Sequence, residues 1–284
     1  MARRVLSALA LCAAMSAGLS AQQPAPPPAQ GQPAGAPADS AAKPPGYGQW
    51  WLKHAREVTP QPPGWLFHIE GQGSFANQTG SISGFEYTLD TLSAQRKGLV
   101  TNQVGVSFVL QESRSQDGNF KQTTAKVSDM VMVNIARSWD LVTAAIWEKD
   151  EPKHVLHRRT VLQGLTRYFT PGDGRSLGLS AAIGYEWEDL ENENGEVDQQ
   201  SPVIYLRNIF ATPVARKGLL SHNLELFYDL ENNNDVRVNW DVSLSYQLTP
   251  HISIGPAAKI RYDAQPVVQV QSTDTMAMIA VQFR

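Results

Sequence analysis

From Val236 to Leu248 every second residue is apolar: Val236, Val238, Trp240, Val242, Leu244, Tyr246 and Leu248, with Arg237, Asn239, Asp241, Ser243, Ser245 and Gln247 between them. A period of two sustained over this length is a β-strand with one apolar and one polar face, longer than most strands of soluble domains. The next segment repeats it, with Ile252, Ile254, Ala258, Ile260 and Tyr262 on one side and Ser253, Gly255, Lys259 and Arg261 on the other. Earlier stretches alternate in the same way around Trp65–Ile69, Phe85–Leu89, Val104–Leu110, Leu177–Trp187 and Leu224–Tyr228. Val127–Ile135, Leu141–Trp147, Val155–Phe169, Val203–Phe210 and Thr275–Phe283 are rougher but still strand-like. The pattern predicts twelve strands.

A soluble sandwich also alternates, so three further features decide the class. The strands are long enough to cross a bilayer with tilt, about ten residues or more. The apolar face carries aromatic residues near strand ends (Trp65, Phe75, Trp139, Trp147, Trp187, Tyr228, Tyr246 and Tyr262), as interfacial girdles do. The opposite face holds charges of both signs, which suit a wet or ion-paired lumen and would ruin a soluble core. The reading is an all-β fold, a transmembrane antiparallel up-and-down β-barrel over residues 65–284. Connections on one side (Ala94–Gly98, Ala136–Ser138, Thr170–Arg175, Ala215–Gly218, Leu248–His251) are tight. Those on the other (Ser113–Asn119, Glu148–His154, Glu188–Gln200, Leu230–Asp235, Asp263–Thr273) are mostly longer. Short inside and long outside is the arrangement of an outer-membrane barrel. Leu244 is expected near mid-membrane with Ser243 facing the lumen.

Before the barrel the periodicity vanishes. Arg3 and Arg4, an apolar stretch from Val5 to Ala14 and small residues to Ala21 predict a secretory signal over residues 1–21, with the sole cysteine, Cys12, inside it. Residues 22–49, rich in Pro, Ala, Gly and Gln, predict a disordered periplasmic tether. Residues 50–64 form a short amphipathic or interfacial segment opening on Trp50 and Trp51. A short helical turn leaning on the protein is the favoured reading, and an anchor on a membrane surface the alternative.

Composition removes several classes. A formal charge of −3 speaks against a nucleic-acid binder, and charged residues at 18% fall below the roughly 25% of soluble domains. One cysteine excludes a disulfide framework and cysteine-based metal sites.

No catalytic, cofactor-binding or metal site stands out, and neither a cofactor nor a metal is expected. His154 and His157, three apart on a strand, point to opposite faces and cannot share a metal. The acidic run Glu186–Asp198 lacks calcium-loop spacing and reads as solvated. His222 sits on the lipid-facing phase while Ser221 points the other way, which leaves a lipid-hydrolase triad unsupported. The remaining candidates are inward charges, above all Glu225, Asp229, Arg237, Asp241, Lys259 and Arg261. They are expected to pair with one another across neighbouring strands and to fill the lumen as an ion-pair ladder, with a selective pore as the alternative.

The hairpin Gly71-Gln72-Gly73-Ser74-Phe75-Ala76-Asn77-Gln78-Thr79-Gly80 and the closing stretch Tyr262-Asp263-Ala264-Gln265-Pro266, Thr273-Asp274-Thr275 and Val281-Gln282-Phe283 resemble those of the salt-induced outer membrane protein family, domain of unknown function 481. That resemblance implies an outer-membrane β-barrel with no established activity and carries over no catalytic residue. Phe283 resembles the terminal aromatic read by barrel-assembly machinery; Arg284 after it departs from that pattern. The expected location is the outer membrane of a Gram-negative-type bacterium, with lipid and the assembly machinery as partners and no nucleic acid. The expected role is a non-enzymatic structural or envelope-stress protein. A narrow channel for small solutes or ions, a barrel-wall lipid hydrolase and a soluble periplasmic barrel for an apolar ligand stand as alternatives.

Overall fold

The computed structural model describes residues 50–57, 64–78, 83–115, 118–170, 175–192, 195–214, 217–232, 234–265 and 272–283; the predicted signal and tether lie outside them. Twelve antiparallel strands close on themselves: β1 (Leu66–Gln78), β2 (Ser83–Lys97), β3 (Val100–Ser115), β4 (Gly118–Ala136), β5 (Trp139–Asp150), β6 (Val155–Phe169), β7 (Ser176–Asn192), β8 (Gly195–Val214), β9 (Gly218–Asp229), β10 (Val236–Gln247), β11 (Ile252–Asp263) and β12 (Thr273–Phe283). Each strand pairs with its chain neighbours, and β1 meets β12 from Gly71↔Phe283 to Phe75↔Ile279. The seam leaves no edge, as lipid requires, because hydrocarbon offers no partner to an unpaired peptide group.

One line of paired residues reveals the tilt. It runs Asn102, Val131, Thr143, Gln163, Ile183, Ile204, Tyr228. Odd-numbered strands all start at the same end of the barrel, the near end. Asn102 lies two residues from the start of β3, Thr143 four from that of β5, Ile183 seven from that of β7 and Tyr228 ten from that of β9. The line climbs steadily, so the strands lean against the barrel axis, which is the condition for closure.

The outward face is apolar and exposed, with Ile69, Val106, Val131, Val161, Leu165, Leu179, Ile183 and Ile279 among its side chains. Aromatic rings flank this band: Trp65, Phe67, Trp139, Tyr246 and Phe283 toward the near end, Tyr87, Trp147, Tyr185, Trp187 and Tyr262 toward the far end. On β5 the flanking rings, Trp139 and Trp147, are separated by eight residues, about 26 Å of strand at roughly 3.3 Å per residue. At the roughly 35–45° tilt of membrane barrels that rises about 20 Å, which fits within an apolar band about 25 Å tall. Arg167 lies 5.4 Å from the Trp139 ring and 4.7 Å from Phe169, a cation in the aromatic belt at the near interface.

The near-end connections are short, and Gly98 takes φ +55° in the first, a conformation costly for other residues. At the far end the structure departs from the expected long loops. Glu188–Gln200 is paired hairpin: β7 and β8 stay in register out to Asn192↔Gly195. The same holds for β3 and β4, out to Ser115↔Gly118. The backbone satisfies its hydrogen bonds by extending the ladder past the membrane band, so the protrusion consists of strand rather than loop.

Depth also differs at one position. Leu244 does face outward, 42% exposed, but it is one outward place from Tyr246 and the near strand end, so it belongs near the interface. Ile183, 68% exposed and seven residues into β7, takes the mid-band position. Ile183→Arg is expected to cost about 2–4 kcal/mol of barrel stability and Leu244→Arg closer to about 1 kcal/mol, because the cost of a lipid-facing cation falls toward the interfaces. Urea unfolding in phospholipid vesicles checks the order; equal costs would refute the assigned depths.

Candidate functional site

The register aims all six predicted lumenal charges inward. Their partners are mostly not the expected ones. Arg261 does pair with Asp241 on the adjacent strand, 2.6 Å. Lys259 instead crosses the β1–β12 seam to Asp90 on β2, 2.7 Å, and Arg237 reaches Glu186 on β7. Glu225 receives Lys126 from β4 at 2.9 Å and the Tyr205 hydroxyl at 3.0 Å. Among the described residues Asp229 takes no cation: its carboxylate caps the turn after β9 by accepting from the Glu231 and Asn232 amides. Long cationic side chains reach farther than one strand spacing. In a narrow lumen a carboxylate on another wall lies within that reach.

The Lys126–Glu225 pair joins β4 to β9, nearly opposite strands, and so spans the lumen. Arg207 lies beneath it, with Nε 2.7 Å from Asn223 Oδ1 and Nη1 3.5 Å from Met130 Sδ on β4. Toward the far end Arg158 sits among Glu148, Glu186 and Glu188. Beyond that, Lys153, in the turn after β5, reaches Asp274 on β12 at 3.2 Å. Lys126, Arg207, Glu148 and Glu188 escaped the sequence reading because single strands do not reveal what lies across a barrel.

A second difference is an inward face that is partly dry. Ala144, Ile146, Leu162, Ala182, Val203, Tyr205 and Phe227 bury one another on the inner side of β5 to β9. The rough patterns of β5, β6 and β8 have this cause: these strands are apolar on both faces, so their alternation is damped.

The near end is stoppered. Two short 3-10 turns, Trp50–Leu52 and Ala55–Glu57, lie among inward-facing side chains. Trp50 and Trp51, 4% and 6% exposed, pack with Ala94, Leu92 and Leu66, and Trp51 stacks on His68 at 3.3 Å between ring centres. The tryptophans are therefore withdrawn from any membrane surface, as in the leaning-turn reading rather than the anchor. Backbone carbonyls of the segment accept from the wall: Trp51 from Gln103 at 2.8 Å and Lys53 from Arg96 at 2.5 Å. Arg96 also donates to Thr101 at 2.8 Å and lies 5.0 Å from the Trp50 ring. Glu57 receives the Thr170 hydroxyl. His54, fully buried, places Nε2 3.0 Å from Asp140 Oδ1 and also touches the Asn134 amide. Its Nδ1 accepts from the Arg56 amide at 3.3 Å, which suits a neutral ring. Eight residues of chain are thus held by groups on five strands, β1 to β5, and by Thr170 just past the end of β6.

The other sequence candidates are dispersed. His154 occupies a left-handed turn and His157 lies beside Trp147 at 6.0 Å. His222 faces outward against Phe210, 5.7 Å, while the Ser221 hydroxyl faces inward to Ser243, 2.8 Å, so no Ser–His pair forms there. Among the described residues no group of three His, Cys, Asp or Glu side chains could hold a metal ion.

Fold and lumen together define a closed membrane-type β-barrel whose interior is bridged by ion pairs and stoppered by its own N-terminal segment. The chain belongs to the family described as "Protein of unknown function, DUF481", whose profile matches residues 74–283. No curated protein matches it. Among solved structures it is similar to the NanC porin (12% identity, 76% of this chain and 100% of that one, TM-score 0.48). It is similar too to the KdgM porin in complex with disordered oligogalacturonate (11%, 77% and 99%, 0.41). A third is the translocator domain of the autotransporter NalP from Neisseria meningitidis (10%, 78% and 88%, 0.43). At these values the architecture rests on the strand ladder itself.

Two expectations follow. Arg237→Ala leaves buried Glu186 with the longer Arg158 contact of 3.8 Å and the Thr160 hydroxyl at 2.8 Å. It should cost about 1–3 kcal/mol, read as a lower denaturant midpoint, with Arg237→Lys recovering part of the loss. A cost no larger than that of an exposed pair such as Lys121–Glu112 would discount the inner network. For His54, burial first and then Arg56 and Arg96 push the imidazole down to about 4. The unfolded ring takes up its proton near pH 6.5 and the folded one only near pH 4, so stability falls as pH drops across that window. The pH dependence of His54→Gln should be shallower than that of the wild type between pH 6.5 and 4, and parallel curves would contradict the assignment.

Proposed function

We propose that the protein is an outer-membrane barrel that is shut at rest, serving as a non-enzymatic structural or envelope-stress component, with its near end and N-terminal tether in the periplasm. The observation that carries this reading is the double occlusion: Lys126–Glu225 spans the lumen and residues 50–57 fill its near mouth. Tight near-end connections support the orientation, since periplasmic turns of such barrels are short. Kinship with the salt-induced outer membrane proteins belongs to this proposal. So do outer-membrane lipid as solvent for the apolar band and delivery by the assembly machinery through β12, whose Phe283 projects outward at the strand end.

A second reading, a narrow channel gated by the stopper, has one observation in its favour. The inner wall of β9 to β11 toward the near end carries Ser221, Ser243, Ser245 and Ser253, small polar side chains suited to a thin wet passage. A lipid hydrolase has no assembled nucleophile and base at Ser221 and His222.

Planar-bilayer recording separates the readings. The intact mature chain is expected to be silent. A steady ohmic conductance from the intact chain would overturn the shut-barrel proposal. Deletion through Glu57 is expected to leave a folded barrel, and conductance arising only after that deletion would favour the gated channel.

A further inference from the structure

A carboxylate interrupts the lipid-facing band on β4. Asp129 on β4 points outward between Val127 and Val131, both of them exposed lipid-facing valines. Its cross-strand partner is Ala145, one outward place from the Trp147 belt, so the carboxylate lies at the far margin of the apolar band. Asn102 on β3 donates to one of its oxygens at 2.6 Å. Thr143 on β5 and Gln163 on β6 are also outward and exposed, and neither has a side-chain partner among the described residues. These groups form a stripe: Gln95, Asn102, Val131, Thr143 and Gln163 are successive cross-strand partners, and Asp129 adjoins it. Lipid satisfies a carboxylate or a primary amide poorly even at the margin of the band, so such groups gain from a protein partner.

The stripe is complementary to itself. Asp129 lies seven residues from the near end of β4, at Ala136, and Gln163 six from the near end of β6, at Phe169, so acceptor and donor stand at the same height on either side of β5. A two-fold axis along the membrane normal through β5 would set β4 of one barrel against β6 of the next. Each Asp129 carboxylate would then meet the Gln163 amide of the other copy, twice over, as an isologous contact demands. The positions on the axis are Ala145 and Thr143, small enough to let two walls approach closely.

We propose that the outward face of β4–β6 is the interface of a symmetric dimer of this chain in the membrane. The partner is a second copy, because the patch supplies both the acceptor and the donor that it lacks. The inference rests on the membrane-barrel reading and goes beyond it.

Disulfide trapping in phosphatidylcholine vesicles tests it, with the full chain in a Cys12→Ser background that removes the sole native thiol. Ala145→Cys should give a covalent dimer on mild oxidation, whereas Ile279→Cys, lipid-facing on the far wall, should stay monomeric. Adding Asp129→Val or Gln163→Leu should lower the Ala145→Cys dimer yield about five- to tenfold, the scale of one or two lost hydrogen bonds inside a membrane. Ala145→Cys that crosslinks no better than Ile279→Cys, or yields no dimer because another component occupies the face, would overturn the dimer. Heat-modifiable migration of the same samples reports the barrel separately. If the barrel band is present without the crosslink, only the dimer fails; if it is absent, the membrane-barrel reading fails as well.

Discussion

Everything in this molecule depends on the ladder that joins β1 to β12. Without that seam two strands would present bare peptide groups to lipid, where each unmet donor or acceptor is worth several kcal/mol. Closure fixes the tilt, because the register has to return to itself after twelve strands. The tilt in turn decides which side chains share a height, and so which rings form the belts and which outward polar groups become neighbours.

Closure also creates an interior too small to be ordinary solvent and too large for one layer of side chains to fill. The chain fills it in two ways. Along β5 to β9 it uses a dry cluster around Leu162, Val203 and Tyr205. Elsewhere it uses cations on long stems that cross to carboxylates on distant walls: Lys126 to Glu225, Arg237 to Glu186, Lys259 to Asp90. Such pairs carry a large desolvation cost, offset only where the geometry leaves few lone pairs unmet. Cross-lumen pairing therefore ties opposite walls together and narrows the bore at once.

The stopper follows the same logic at the near mouth. Arg96, Asn134 and Asp140 point into the lumen close to its end and would be poorly satisfied alone. The carbonyl of Lys53 and the ring of His54 give them further partners, while Trp50 and Trp51 cover the apolar floor made by Leu92 and Ala94. Because His54 is neutral in its seat, the contact is polar without being an ion pair.

The strand count, the two faces of most strands and the aromatic belts were legible in the sequence because a period of two is a local property that each segment displays on its own. So was the inward phase of Glu225, Asp229, Arg237, Asp241, Lys259 and Arg261. Damped alternation in β5, β6 and β8 was visible too, but its cause was not: apolar side chains on the inner face make sense only once Leu162, Tyr205 and Phe227 are seen to touch. What the tertiary structure alone decided is who meets whom across the bore. Partners such as Lys126 and Glu225, or His54 and Asp140, lie far apart in the chain. Their meeting depends on barrel radius, tilt and the return of the N-terminal segment into the lumen, quantities set by closure of the whole sheet and by no single stretch of sequence.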